Sequence, residues 1–144
     1  MKSYTVGLIF NSALDRVVLM EKNRPAWQKG KLNGIGGRIE EGETSVACMM
    51  REAKEEANIS SKKGDWHHFA VMEGPSWSVE FFSLVFSGKE SDIKTTTDEK
   101  VSWYNARALP DNALMNVFWL VPLAIDKLQG DEFDSVKVHY KRDY

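Results

Sequence analysis

Three closely spaced glutamates, Glu52, Glu55 and Glu56, are the side chains of this sequence with the most evident chemistry. On an α-helix, which turns about 100° per residue, they fall within roughly a third of the circumference, with Arg51 at their edge. Crowded carboxylates repel one another unless a cation joins them, and their hard oxygens are the ligands that Mg²⁺ or Mn²⁺ prefers. The spacing therefore indicates a metal site. For the helix alone, a solvated face of ion pairs is an equally good interpretation.

The glycine-rich segment before these glutamates favours the metal site. Four glycines lie between residues 32 and 42, and they include the pair Gly36-Gly37. Because glycine has no side chain, such a segment lets backbone carbonyls and amides approach an ion or a phosphate closely. Glu43 places a further carboxylate directly before the helix.

Residues 37–59, GRIEEGETSVACMMREAKEEANI, resemble the Nudix box. That pattern reads Gly, five residues, Glu, seven residues, Arg-Glu, an aliphatic residue, any residue, Glu-Glu, any residue, Gly and an aliphatic residue. Its glycine and charged positions are occupied here by Gly37, Glu43, Arg51, Glu52, Glu55 and Glu56. Asn58 stands where the family usually has glycine. Since asparagine tolerates the left-handed backbone conformation, we expect the chemistry to be retained.

The resemblance implies a fold, a reaction and a cofactor. The expected fold belongs to the α/β (α+β) class and is an α/β/α sandwich around a mixed, mainly central sheet. Members of the family hydrolyse a nucleoside diphosphate linked to another group, by attack of water on phosphorus with bound metal. The expected ion is Mg²⁺, with Mn²⁺ as the alternative.

The resemblance also implies roles for individual residues. The implied metal ligands are the Gly36 backbone carbonyl and the carboxylates of Glu52, Glu55 and Glu56. Arg51 and Glu43 would pair, fix the helix and orient Glu52. A base must accept the proton of the attacking water, and Glu52 is the first candidate. Glu99, in a later loop, is the second, although an exposed carboxylate without a catalytic role explains it equally well.

Residues 32–38, LNGIGGR, resemble the MutT-like members of the family, which hydrolyse nucleoside triphosphates, including oxidised purine ones. There the asparagine, here Asn33, contacts the base, and its amide offers a donor and an acceptor to a purine edge. A turn residue that bonds its own backbone is the competing interpretation. Trp27 and Trp77 are candidates for stacking on the base, and Lys22 and Arg24 for contacting phosphate. Aromatic packing and ordinary exposed strand-end cations are their structural alternatives.

Asn116 is a further substrate-binding candidate. The segment after it, residues 119–123, resembles the last helix of the MutT-like members. Some oxidised-purine hydrolases carry an acidic pair one turn before this point, where the present chain has Met115-Asn116. This departure argues against specificity for an oxidised base.

Two alternative functions remain open at this level. An ADP-ribose or nucleotide-sugar pyrophosphohydrolase is suggested by Pro75, which lies close to where such members carry a proline; a turn proline between two strands explains it equally well. A Nudix-fold module that binds a ligand without catalysis is the other alternative. Such modules usually lose box glutamates, and none is missing here, which favours an enzyme.

The elements that must position these residues follow from periodicity and turn chemistry. Thr44 and Ser45 are suited to cap a helix that should stop at Asn58. Alternating or β-branched stretches predict strands at residues 4–10, 17–22, 66–72, 77–87 and 101–104. A second helix is expected over residues 112–128, bent at Pro122, and a short strand near residues 133–138. Residues 23–33 and 88–100 are expected to be loops.

Chain length, net charge and cysteine count indicate the number of domains, the class of partner and the location. A chain of 144 residues predicts one domain, residues 1–144. The net charge of −2, with no basic stripe, argues against a nucleic-acid partner. No apolar run is long enough to cross a bilayer, and one cysteine, Cys48, suits a reducing compartment, so the expected location is the cytoplasm. A nucleotide is the expected partner, and a homodimer is plausible for the family.

Overall fold

The computed structural model describes residues 1–143; Tyr144, the last residue of the predicted domain, lies outside that range. Within it, eight strands and two α-helices follow one another along the chain. They are β1 (Lys2–Phe10), β2 (Arg16–Glu21), β3 (Leu32–Asn33), β4 (Ile35–Arg38), α1 (Ser45–Ala57), β5 (His67–Glu73), β6 (Trp77–Val85), β7 (Val101–Asn105), α2 (Val117–Gly130) and β8 (Val136–His139). No helix in this range has the length and apolar character needed to cross a bilayer.

All eight strands join one mixed sheet. Its main path runs β3-β2-β1-β6-β5-β8, with β4 paired to β1 and β7 paired to β2. The β1–β6 and β5–β8 pairs are parallel, and the other pairs are antiparallel. Because β1 is long, its first half pairs with β4 and its second half with β2, so the glycine-rich segment is attached directly to the central strand.

A helix covers each face of the sheet. Side chains of successive strand residues point to opposite faces, so Phe10 of β1 packs with α2 whereas Ile9 packs with α1. Leu120 of α2 lies in the core on the first face, and Met49 of α1 lies in the core on the second face. This arrangement confirms the predicted α/β/α sandwich with a mixed sheet.

Residues 32–38 of the glycine-rich segment were not predicted as strands, and residues 32 and 33 were expected to lie in a loop. These residues form β3 and β4. A Cβ on Gly36 would lie 1.9 Å from the Thr5 carbonyl oxygen of β1. The absence of a side chain at this position therefore permits strand pairing, in addition to any approach of a ligand.

The C-terminal elements are shorter than predicted. The second helix begins at Val117 and not at residue 112, because Asn112 is engaged with the loop before β3: its carbonyl accepts from Leu32 N at 3.0 Å and its Nδ2 donates to Gly30 O at 3.1 Å. The helix then runs through Pro122. The last strand is confirmed, but it starts at Val136, after Phe133.

Candidate active site

Helix α1 has two chemically distinct faces. Met49, Ala53 and Ala57 are fully buried against the sheet, while the glutamates lie toward β4 or solvent. Thr44 caps the first turn, since its hydroxyl accepts from Ala47 N at 3.2 Å. Asn58 ends the helix in the left-handed conformation with φ 61° and ψ 32°. Both caps were predicted from sequence, and both are confirmed.

Arg51 connects the acidic residues of this segment. Its Nε and Nη2 donate to the two carboxylate oxygens of Glu43 at 2.8 and 3.0 Å. Its Nη1 donates to Glu52 Oε1 at 2.8 Å and to Glu55 Oε2 at 3.3 Å. Nη2 also reaches the Arg38 carbonyl of β4 at 3.2 Å. The Arg51 hydrogen bonds lower the pKa of Glu43 to about 2, so this carboxylate stays ionised at neutral pH.

The glycine pair of β4 faces two of the glutamates. Gly36 N donates to Glu56 Oε1 at 3.0 Å. The N–H and C=O of an extended residue point to the same side of the strand, so the Gly36 carbonyl, a predicted metal ligand, lies on the side that faces α1. A Cβ on Gly37 would lie 2.4 Å from Glu52 Oε1. Glu52 therefore occupies the space that a side chain at position 37 would take.

Gly37→Ala should consequently displace Glu52 and leave the fold intact. The clashing atoms are the mobile end of one side chain, so the protein is expected to fold. A displacement near 1 Å lowers kcat by about tenfold to a hundredfold where the carboxylate must be positioned. Steady-state kinetics and a thermal melt measure the two effects. Gly64→Ala is the matched control, since a Cβ there meets nothing within 4 Å; equal kcat values for the two variants would contradict the prediction.

Glu56 is the most perturbed carboxylate of the site. It is 8% exposed, and burial, followed by the nearby charge of Glu52, raises its pKa to about 8. The Lys22 ammonium acts in the opposite direction and lowers the pKa. A buried pair of carboxylates is stable only when it gains a proton or a cation. Glu56 is buried and its neighbour Glu52 is partly buried, so a proton or a cation stabilises this pair in the same way.

Glu99 was weighed as a catalytic base or as an exposed loop carboxylate without a catalytic role. Only 4% of the residue is exposed, so the second interpretation is wrong about its exposure. One of its oxygens accepts from Lys22 Nζ at 3.0 Å and the other from Asn23 N at 2.7 Å. Burial would raise the pKa of Glu99, but these donors outweigh it and hold the pKa below its usual range. Lys22 also acts electrostatically on Glu56, so this one ammonium links the later loop to the box helix.

The donor set fits a hard divalent cation. The predicted set comprises carboxylate oxygens of Glu52, Glu55 and Glu56 and the carbonyl of Gly36, which are ligand types that Mg²⁺ and Mn²⁺ select. Within residues 1–143 no three acidic, histidine or cysteine side chains are already arranged as a metal cage. Arg51 holds Glu52 and Glu55 in ion pairs.

A cleft of about 780 Å³ is bordered by Gly36 and Gly37, which on their other side meet Glu56 and Glu52. Its lining contains three classes of side chain. They are the basic residues Lys22, Arg24 and Arg38, the amides Gln28, Asn33 and Asn116, and apolar or aromatic residues that include Trp27, Met72, Trp77, Phe81, Trp119 and Tyr140. Its dimensions and mixed lining suit a nucleotide.

The predicted substrate residues all border this cleft. Asn33 Oδ1 accepts from Gly34 N at 2.8 Å, the turn interaction of the competing interpretation, and its Nδ2 donates to Gln28 Oε1 at 3.3 Å. Asn116 Nδ2 donates to Met72 Sδ at 3.5 Å. Arg24 pairs with Asp98 and reaches Glu99 at 3.6 Å, and Trp27 is 59% exposed. Pro75 is not part of the lining.

Sequence reasoning missed two groups at the site. Lys22 was weighed as a phosphate contact or an exposed strand-end cation, but its partner was not foreseen: its ammonium pairs with Glu99 at 3.0 Å and acts electrostatically on Glu56. Nothing in the sequence marked Tyr140, which comes from the C-terminal segment and lines the cleft. Both contacts join residues far apart in the chain, so no local pattern encodes them.

Comparison with known proteins agrees with this geometry. The model of the NUDIX domain matches residues 1–122. A human protein named 8-oxo-dGDP phosphatase NUDT18 is 31% identical over 74% of this chain. The aligned part is 33% of the human protein, so the chain spans about a third of the length of that relative.

Solved structures share the fold at low sequence identity. A MutT from a study of Aliivibrio salmonicida and Vibrio cholerae superposes with a TM-score of 0.67 at 21% identity, covering 87% of this chain and 98% of that one. An ADP-ribose pyrophosphatase from Streptococcus suis gives 0.72 at 16% identity, covering 94% and 98%. A MutT/nudix protein from Enterococcus faecalis gives 0.73 at 12% identity, covering 88% and 61%. Since the family match spans the box, seven of the eight strands described and the start of α2, this protein belongs to the Nudix family.

Proposed function

We propose that this protein hydrolyses a purine nucleoside triphosphate to the nucleoside monophosphate and pyrophosphate, with an oxidised purine as the preferred base. The chain has Met115-Asn116 where some oxidised-purine hydrolases carry an acidic pair, but the Asn116 amide still offers the base edge a donor and an acceptor. The observation that carries the proposal is the continuity between the box and the cleft. Gly36 and Gly37 contact Glu56 and Glu52 and also border a cleft that holds cations, amides and aromatic rings. A nucleotide needs these groups for its phosphates, its base edge and its base face.

The phosphate end of the site is assigned to the residues nearest the glycine pair. Glu52, Glu55, Glu56 and the Gly36 carbonyl are the proposed ligands of Mg²⁺, or of Mn²⁺ as the alternative. When bound, such an ion neutralises the diphosphate and makes the attacking water more acidic. Lys22 and Arg24 add positive charge beside the cleft and would contact phosphate oxygens.

Glu52 is the proposed base. Arg51 holds one oxygen of Glu52 at 2.8 Å, and Glu43 in turn fixes Arg51 through both of its oxygens. A carboxylate held in this way is oriented before the substrate arrives, which is what proton removal from a positioned water requires. Glu99 is the second candidate, but both of its oxygens already accept hydrogen bonds from Lys22 and Asn23.

The base preference rests on the amides of the cleft. Gln28, Asn33 and Asn116 each carry a donor and an acceptor, and the lining described within residues 1–143 contains no carboxylate. An amide is complementary to a purine edge that offers one acceptor and one donor, as adenine does. Oxidation at C8 gives guanine the same property, because N7 then carries a hydrogen beside the O6 acceptor. The name of the human relative, an 8-oxo-dGDP phosphatase, supports the same preference.

Two other functions are less well supported. ADP-ribose hydrolysis rested on Pro75, which lies in the turn between β5 and β6 and does not line the cleft. The Streptococcus suis enzyme shares the fold, but at 16% identity this similarity carries no substrate information. A non-catalytic ligand sensor would not require the complete set of box glutamates, of which Arg51 holds Glu43, Glu52 and Glu55 here.

A substrate panel with product analysis tests the proposal. The panel contains dGTP, 8-oxo-dGTP, 8-oxo-dGDP, ATP, ADP-ribose and a dinucleoside polyphosphate, each with Mg²⁺, with Mn²⁺ and with chelator. We expect the highest kcat/KM for 8-oxo-dGTP, with monophosphate and pyrophosphate as products and no turnover in chelator. If 8-oxo-dGDP is hydrolysed faster than 8-oxo-dGTP, the substrate is a nucleoside diphosphate and not a triphosphate. AMP and ribose phosphate as the main products would favour the alternative enzyme, and slow turnover of every compound would remove the substrate assignment.

A further inference from the structure

The C-terminal segment borders the cleft, although the family match ends at residue 122, before this segment begins. Strand β8 pairs in parallel with β5 and places Tyr140 at its end. The Tyr140 ring packs against Trp77 of β6 with a centroid distance of 5.5 Å and an interplanar angle of 43°. Both side chains line the cleft, so the segment adds an aromatic wall to the nucleotide site.

The turn between β5 and β6 fixes the position of Trp77. Gly74 N donates to Trp77 O at 2.9 Å and closes the turn. A Cβ on Gly74 would lie 2.2 Å from Trp77 Nε1, so the indole lies directly over this glycine. A large ring that is held in one orientation contacts a ligand with little loss of conformational entropy.

The position of Tyr140 is fixed by hydrogen bonds on either side of it. Tyr140 N donates to Glu73 O at 2.7 Å, which continues the β5–β8 pairing beyond the end of β8. Three residues later, the Asp143 carboxylate accepts from Ser76 N at 3.1 Å and from Ser76 Oγ at 2.6 Å. The segment is therefore fastened to the same turn that supports Trp77.

The wall lies across β1 from two of the three cations of the cleft, Lys22 and Arg24; the third, Arg38, is on β4 and pairs with β1. Lys22 and Arg24 follow β2, whereas Trp77 and Tyr140 belong to the β6, β5 and β8 side of the sheet, beyond β1. Met72 and Phe81 continue this side with apolar surface. Phosphates are attracted to the cations, and a planar heteroaromatic ring is the part of a nucleotide that gains most from apolar and aromatic contact.

We propose that Trp77 and Tyr140 form the stacking wall for the base of the substrate, so that residues 136–143 are part of the substrate-specificity determinant. This inference rests on the proposed function, because it takes the ligand to be a nucleotide. The wall contacts the face of the base, whereas the amides of Gln28 and Asn33, at or before β3, bind its edge. Tyr140 and Trp77 are thus binding residues with no part in the chemical step.

Binding of the reaction product isolates this contact from catalysis. Affinities of 8-oxo-dGMP and AMP, and of ribose 5-phosphate as the ligand without a base, are measured by calorimetry for Tyr140→Leu and Trp77→Leu. Loss of one base–aromatic contact should raise Kd for the monophosphates roughly fivefold to a hundredfold and leave ribose 5-phosphate unchanged. Tyr140→Phe keeps the ring and should bind like the parent protein.

Matched aromatic variants control for general damage to the fold. Tyr104→Leu and Trp103→Leu change the same residue types on β7, outside the cleft lining, and should leave Kd within about twofold. If the leucine variants melt early, Asp143→Asn provides the test, because it weakens an exposed anchor, with Asp134→Asn as its control. Asp143→Asn should then raise Kd for the monophosphates only.

The outcomes separate this inference from the proposed function. If Tyr140→Leu and Trp77→Leu bind the monophosphates with Kd values within twofold of the parent, the proposed stacking role is wrong. This holds even if the substrate panel finds the expected triphosphate hydrolysis. Equal loss of ribose 5-phosphate binding also overturns it, because the effect would not depend on the base. Base-dependent loss in the wall variants supports it, even if the panel reveals a different nucleotide substrate.

Discussion

Glu56→Gln is expected to lower kcat by at least about a hundredfold while the protein remains folded. Glutamine has the same shape, and its amide oxygen can still accept from Gly36 N, as Glu56 does at 3.0 Å. It cannot supply a negative charge to a divalent ion. Kinetics with saturating Mg²⁺ measure the loss, and calorimetric titration with Mn²⁺ measures the ion affinity. Glu41→Gln, on the exposed turn before α1, is the control and should retain the parent kcat.

In the absence of divalent ions, Glu56→Gln should raise the free energy of unfolding at pH 8, although it lowers kcat. The pKa of Glu56 is raised from 4.5 to about 8 in the folded protein, so the folded state binds more protons than the unfolded chain between these values. The contribution of Glu56 to the unfolding free energy therefore falls as pH rises from about 4.5 to about 8, and is constant above this window. Glutamine removes this slope. Thermal melts in chelator should show the variant more stable than the parent at pH 8 and equal to it near pH 4; a lower Tm at pH 8 would contradict the assignment.

Arg51→Lys is expected to lower kcat by about tenfold to a hundredfold, although the positive charge is kept. The guanidinium donates to both oxygens of Glu43 and, through Nη1, to Glu52 and Glu55. An ammonium is a point charge and cannot reproduce this planar fork. Glu52 would lose its fixed orientation, so the loss should appear in kcat more than in KM.

Stability should also fall in the lysine variant, with a defined pH dependence. Arg51 lowers the pKa of Glu43 from 4.5 to about 2, so this pairing contributes stability above about pH 4.5 that is lost as pH falls toward 2. The Tm difference between parent and variant should accordingly be largest near neutral pH and shrink in acid. Arg16→Lys is the control, because Arg16 forms an exposed pair with Glu90 and should change neither kcat nor Tm appreciably. A kcat for Arg51→Lys that equals the control would exclude an orienting role.

The parts of the molecule that follow local rules were predictable from sequence. Helix α1 carries its start at Thr44, its end at Asn58 and its apolar period within one continuous stretch, and all three are as expected. The carboxylate cluster is encoded by the same period. The strand pattern was also correct in outline, because alternation of apolar residues reflects the two covered faces of the sheet.

The parts that depend on distant partners were not predictable. Strands β3 and β4 were not identified, because glycine has low strand propensity and the pairing of Gly36 depends on the backbone of Thr5. Helix α2 was started too early, because Asn112 is held by Gly30 and Leu32 across the sheet edge. Local periodicity carries no information on such contacts.

The single thiol of the chain is placed where it reports on motion of the box helix. Cys48 is fully buried at the junction of α1 with β1 and β4, where Sγ lies 3.3 Å from Thr5 Oγ1 and 3.5 Å from the Arg38 carbonyl. Burial raises its pKa to about 11, so the reactive thiolate is scarce at neutral pH. A thiol reagent can therefore modify the native protein only when the helix separates from the sheet, and its labelling rate measures the free energy of that local opening without any engineered probe.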